Sequence, residues 1–305
     1  MGAFAICALL MVPVSHAAPD ESQPEAAGSD RSQAASSGQS QAAGSDQSQA
    51  AAASDQTRAA ATDEEARTAA APVPFLLGES LSYKVSVGIF GASGHGSLTV
   101  AGLDTIRQRP AYHLRMLIKG GILFGKVDDR LESWLDAFKL CALRFEQDQH
   151  EIRYRRHRIL DFFHEECRWQ RVDSQEGGSM PTDAPLDEIS FIYFVRTIPL
   201  EVGQTYTFDR YFKREGNPVI LQVLRKQRIT LPAGVFDTVV VRPIIHSGGL
   251  FGQGGEAEIY FTDDGRRLPV ELRSKVPVLG HLDLALERYS PGTATASGVT
   301  EAGKE

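Results

Sequence analysis

The chain has 305 residues and a formal net charge of −7, with 39 acidic against 32 basic side chains. The excess is confined to the two ends, because residues 73–290 carry 28 acidic and 28 basic side chains. That balance excludes a general basic field for nucleic acid, and the region is long enough for one sizeable core.

Residues 1–18 read as a secretory signal: an apolar run from Ala3 to Val14, then the small-residue exit Ser15-His16-Ala17-Ala18. The run is too short to cross a bilayer, which needs about 20 residues, so no transmembrane segment is expected in the mature chain. No Lys or Arg precedes the apolar core, so either the true start lies upstream or the signal is weak. Bulky Ile6 before Cys7 argues against lipid attachment at that cysteine. Residues 19–74 form an Ala/Ser/Gln/Asp-rich linker with near-copies of one heptad at Ser29–Ala35, Ser45–Ala51 and Ser54–Ala60. Such a segment cannot bury enough apolar surface to offset its ordering entropy and is expected to be disordered, as are residues 291–305. As a coil it spans on the order of 40 Å. The expected compartment is the periplasm.

Residues 75–290 read as a single all-β domain. Leu81, Tyr83, Val85 and Val87 alternate with Ser82, Lys84 and Ser86, the period of a half-buried strand. Gly88–Gly96 is expected to be a loop and Ser97–Leu103 the returning strand. Further strands are expected at Tyr112–Ile118, Val127–Leu135, Leu143–Gln147, Ile152–His157, Ile159–Glu165, Thr205–Phe212, Val219–Thr230, Phe236–Ile245, Ala257–Thr262, Val270–Lys275 and Leu282–Tyr289. Turn signals stand at Gly94, Gly120-Gly121, Pro232-Ala233-Gly234, Gly248-Gly249 and Asp263-Asp264-Gly265. One segment departs from the pattern: Asp187 can cap a short helix over Ile189–Ile198 that plugs one face of the sheet. The architecture expected is a curved antiparallel sheet or half-barrel.

Five stretches carry a resemblance: Gly78–Tyr83 (GESLSY), Val127–Ser133 (VDDRLES), Asp187–Arg196 (DEISFIYFVR), Leu231–Thr238 (LPAGVFDT) and Tyr260–Val270 (YFTDDGRRLPV). In this order they resemble the bacterial domain-of-unknown-function family 3108, over roughly residues 75–290. The chain departs from that pattern at Glu188, where proline is expected, and at Phe261, where tryptophan is expected. The resemblance implies no assigned activity. Its layout is similar to the periplasmic lipoprotein-carrier folds, which implies an apolar ligand.

The residues themselves offer little catalysis. There is no G-x-S-x-G elbow, P-loop or dinucleotide fingerprint, and no cofactor is expected. His164 and Cys167 fall on opposite faces of an alternating strand, so no metal is expected. Asp128-Asp129 beside Arg130 reads as a surface or inter-strand ion pair, and Asp263-Asp264-Gly265 as a hairpin turn. If residues 143–165 fold as three short strands, Cys141 and Cys167 lie at opposite ends, on the order of 20 Å apart, and do not bridge.

Two patterns are candidates for ligand contact. In Arg153–Arg158, alternation puts Arg153, Arg155 and His157 on one face and Tyr154, Arg156 and Arg158 on the other. Arg153 and Arg155 suit a phosphate head group, against the ordinary reading of a solvated edge guarded by charge. The triplets Ile89-Phe90-Gly91, Leu123-Phe124-Gly125 and Leu250-Phe251-Gly252 place an aromatic beside glycine in connections that are normally polar. Phe90, Phe124 and Phe251 either rim an apolar mouth or tuck back over the core, the second being the ordinary case. The function expected is a non-catalytic periplasmic binding or chaperone-like module for an apolar or lipid-bearing ligand. The alternative is a structural or protein-interaction module of the cell envelope, with the linker as tether to an envelope partner.

Overall fold

The computed structural model describes residues 71–88, 92–122, 125–151, 154–245, 257–276 and 280–293. These form one antiparallel sheet and one helix. The strands are β1 (Ser80–Val87), β2 (Ala92–Ile106), β3 (Arg109–Ile122), β4 (Gly125–Asp136), β5 (Ala142–Glu151), β6 (Tyr154–Phe163), β7 (Arg168–Arg171) and β8 (Gly177–Ser179). After helix α1 (Glu188–Val195) follow β9 (Thr205–Phe208), β10 (Val219–Leu231), β11 (Gly234–Ile244), β12 (Ala257–Thr262), β13 (Pro269–Val276) and β14 (Gly280–Ser290). The spatial order β8-β7-β6-β5-β4-β3-β2-β1-β14-β13-β12-β11-β10-β9 is two meanders joined where β1 pairs with β14.

Alternation sets the inner face. Leu81, Tyr83 and Val85 are buried while Lys84 and Ser86 are exposed. Across the sheet, Val100, Leu114, Ser133, Phe145 and Leu160 lie in successive register and share that face. Register shifts at Ser82/Tyr83, Val100/Gly102, Trp134/Leu135, Val223/Arg225 and Tyr260/Phe261 mark bulges that bend the strands. The bending brings the margins together. Phe212, between β9 and β10, packs at 5.4 Å on Phe162 of β6 and 5.9 Å on Trp169 of β7. No strand pairing among the described residues joins β8 to β9, so the sheet is not closed.

Helix α1 fills the concavity at one end. Asp187 Oδ1 accepts from the amides of Ile189 and Ser190 at 2.9 Å, and Ser190 Oγ accepts from the Asp187 amide at 2.8 Å, a capping box. Nearly every residue of the helix is buried, as expected of a helix apolar on all sides. Arg196, at its end, is fully buried and donates from Nη1 and Nη2 to both oxygens of Glu79, at 2.6 and 3.1 Å. Its remaining hydrogens go to the carbonyls of Arg266 and Pro74. The Phe75 and Tyr193 rings flank it, each 5.4 Å away.

The structure corrects several sequence expectations. Gly88–Gly96 is not a loop throughout, since β2 begins at Ala92. Gly120-Gly121 is not a turn but the interior of β3. Both corrections have one cause: a Cβ on Gly94 would stand 2.4 Å from the Lys119 carbonyl and 2.8 Å from the Gly120 Cα. The glycines therefore serve a close approach of two paired strands, not a reversal. Residues 152–165 are not two strands, because β6 runs unbroken through His157 and Arg158 and pairs along its length with β5. Cys141 and Cys167 therefore lie toward the same end of the β5–β6 hairpin, and both are free thiols. Strand β9 is shorter than expected, and β7 and β8 carry too little alternation to be foreseen. Residues 71–74 already dock on the domain, with the Ala71 amide 2.8 Å from the Ala137 carbonyl.

Candidate functional site

The β4–β5–β6 wall turns polar toward the end of the sheet that holds the β5–β6 turn. Beyond the row containing Ser133, the next inward row runs Leu98, Met116, Leu131, Gln147 and Arg158, and the one after it Gly96, Ile118, Asp129, Gln149 and Arg156. Each row is apolar on β2 and β3 and hydrophilic on β5 and β6. Asp129, Gln147, Gln149 and Arg158 are all buried. Such groups are costly to bury and are normally fully hydrogen-bonded.

Here they are not all satisfied. Arg158 donates from Nε to Gln147 Oε1. Among the described residues it has no carboxylate within the 4.0 Å of a salt bridge, and Gln147 Nε2 has no hydrogen-bond partner. Burial, reinforced by neighbouring Arg156, pushes the Arg158 guanidinium down to about 10. Burial raises Asp129 to about 6, against a hydrogen bond from the His150 amide.

Facing this wall, the start of α1 supplies two acids. Asp187 accepts from Ser133 Oγ at 2.6 Å, yet burial still raises it to about 7. Glu188 is raised by burial too, with Arg158 and Arg156 pulling the other way. The two acids and Tyr211 border a cleft of about 340 Å³, its open mouth included. Leu186, Phe191, Val219 and Ile245 make its apolar side, and Arg210 completes the lining. Arg210 is held by the carbonyls of Ala184 and Leu140 at 2.8 and 2.6 Å. Asp187, which lines the cleft, accepts from Ser133 of β4, and this places the wall beside the cleft. The result is an amphipathic site with an apolar face and desolvated charges of both signs at its border.

A second cluster forms where β4, the β4–β5 connection and the end of β6 meet. Asp136, Cys141 and His164 are buried, with their ligand atoms within 4.8 Å of one another. His164 thus meets Cys141 and Asp136, whereas sequence reading weighed it against Cys167. The donor set does not suit a cation. Asp136 Oδ2 accepts from Arg109 Nε at 2.5 Å, and Oδ1 accepts from the Phe138 and Lys139 amides at 2.8 Å. Lys139 Nζ stands 3.5 Å from His164 Nδ1. Burial drives the Cys141 thiol up to about 12, so it stays protonated. The cluster is a hydrogen-bonded knot that ties the turn.

Of the residues singled out by sequence, Phe90, Phe124, Phe251 and Arg153 lie outside the described residues. Arg155 is exposed on the outer face, opposite His150 of β5. The structure turns inward instead Arg156 and Arg158, the other face of the same alternation, and brings Arg158 to Gln147. Asp128 pairs outward with Lys119 at 3.2 Å, while Asp129 points inward and is not a surface charge.

The sequence matches the family described as "Protein of unknown function (DUF3108)" over residues 82–287. The chain belongs to this family. No curated protein matches it. Among solved structures it is similar to a β-barrel-like protein of domain of unknown function DUF1849 from Brucella abortus. That likeness has 9% identity and a TM-score of 0.47, covering 73% of this chain and 100% of that one. It is also similar to a candidate lipoprotein from Parabacteroides distasonis, at 12% identity and a TM-score of 0.30, covering 72% of this chain and 98% of that one. In this DUF3108 chain, Glu79 and Arg196 join two separate motifs, GESLSY and DEISFIYFVR, through one buried ion pair. No helix among the described residues is long and apolar enough to cross a membrane, which says nothing of a β-barrel.

Proposed function

We propose that this DUF3108 protein is a non-catalytic, exported binding module for an amphiphilic ligand, taken up at the cleft beside α1. The observation that carries this reading is the cleft itself: Leu186, Phe191, Val219 and Ile245 on one side, Glu188 and Tyr211 on the other. The 340 Å³ counts the solvent at its open mouth, and the enclosed part holds about 20 Å³, room for one water-sized group. An acyl-chain end or an acylated peptide therefore enters only as the cleft widens. Export to the periplasm rests on the leader-like residues 1–18.

Native mass spectrometry on the mature protein from its own periplasm, followed by lipid extraction, tests both parts. The expected result is a mass beginning after Ala17 or Ala18 and a co-purifying amphiphile that is lost when Val219→Trp fills the cleft. A bare protein mass would overturn the ligand reading in favour of a protein-interaction module.

A further inference from the structure

We infer that Gln147, Arg156, Arg158 and Lys213 form an anion-recognition subsite that holds the carboxylate or phosphate end of the amphiphile. This rests on the cleft reading above and names the chemical class of its ligand.

The argument begins with cost. A guanidinium buried to 5% exposure is expensive unless a carboxylate or several carbonyls surround it. Arg196 in the same molecule shows the satisfied case, with Glu79 and two carbonyls on its hydrogens. Arg158 has one neutral partner, Gln147 Oε1. On the same inward face, one register step toward the β5–β6 turn, Arg156 forms no ion pair among the described residues either. Lys213 approaches from the segment that crosses the seam. Its Nζ stands 5.4 Å from the Trp169 ring and 5.6 Å from the Phe212 ring, held by aromatic faces and no carboxylate. Its neighbour Phe212 packs on Phe162 of β6, so the lysine stands against the strand that carries both arginines.

The carboxylates that feel this group are Glu176, Glu188 and Glu215, and none closes to a salt bridge with it. Glu176 is engaged by Arg171 at 3.5 Å. Gln147 Nε2, fully buried and without a partner, adds a neutral donor beside the guanidinium. Three cations and a free amide N–H, none of them in a salt bridge with Glu176, Glu188 or Glu215, are complementary to one two- or three-oxygen anion. The apolar lining beyond Glu188 and Tyr211 then receives the tail.

The experiment titrates the full chain with decanoate, decyl phosphate, decanol and inorganic phosphate, read by calorimetry and by the fluorescence of Trp169. Decanoate and decyl phosphate should bind about tenfold or more tightly than decanol, as expected of a charge-assisted contact. Arg158→Gln should remove that preference without weakening decanol, and Arg158→Lys should restore part of it. Lys213→Gln, at a half-buried position, should lower anion affinity severalfold and guards against a folding defect at Arg158. Equal binding of decanoate and decanol, unchanged by Arg158→Gln, would overturn the subsite and leave the cleft reading intact. Inorganic phosphate binding as well as decyl phosphate would overturn the assignment to an amphiphile. If none of the four binds, both readings fall.

Discussion

Arg196 and Arg158 are equally buried and oppositely treated. At the closed end of the sheet, Arg196 spends its hydrogens on Glu79, Arg266 and Pro74 between two aromatic rings. On the β5–β6 wall, Arg158 holds one glutamine and faces Glu188 without closing on it. The first arrangement is complete within the chain and fixes where the helix sits. The second is incomplete within the chain, as expected where specificity toward another molecule is recorded. The same residue type under the same burial thus separates an anchor from a site.

The sharpest way to break this comparison is to truncate the anchor. Arg196→Met leaves Glu79 buried and uncompensated and should cost about 3–5 kcal/mol, lowering Tm on the order of 10 °C in a thermal melt. Adding Glu79→Gln should recover part of the loss, and a double-mutant cycle that showed no coupling would remove the anchor role. A smaller effect is expected at Asp129. Burial raises it to about 6, so the folded chain keeps a proton that the unfolded chain releases above about pH 4. Its contribution is fully present below that pH and is lost as pH rises through 6. Asp129→Asn should flatten the fall in stability between pH 4 and 6 by on the order of 1–3 kcal/mol, measured by urea unfolding. Smaller still, replacing Arg158 by Met and Gln147 by Leu together should leave stability within about 1 kcal/mol of the parent, because both partners go at once. A loss as large as that of Arg196→Met would make Arg158 a second anchor and erase the contrast. Smallest, iodoacetamide should modify half-buried Cys167 in the native protein and reach Cys141 only in denaturant, as peptide mapping would show.

The strands were legible because one face of each is apolar, and period two survives even where boundaries move. The cap was legible for a local reason: Asp187 three residues before Ser190 satisfies helix amides whatever surrounds it. Glycine misled, since Gly94 and Gly120 look like turn residues until their paired strands are seen to approach within 3 Å of where a Cβ would stand. The split of Arg153–Arg158 into two faces was also legible. Which face turns inward depends on where the β5–β6 hairpin reverses, and cutting β6 at Arg158 hid that. The Asp136–Cys141–His164 knot joins residues up to 28 positions apart through two turns, so no local spacing could announce it.

The seam at Phe212 has a mechanical meaning. A hoop of amide ladders resists widening at every point, because each rung must break before the circumference can grow. Among the described residues the ladder is interrupted between β8 and β9, and there aromatic rings meet at 5.4 and 5.9 Å beside a backbone bond from the Leu186 amide to the Arg210 carbonyl at 2.7 Å. Widening at that place costs these ring contacts, each worth about a kcal/mol, and the hydrogen bonds that tie Leu186 and Arg210 across it. A guest could enter by parting the rings, with the strand pairings left whole. The time scale for filling such a cavity would then be that of side-chain rearrangement, and amide exchange along β1–β6 would stay slow throughout.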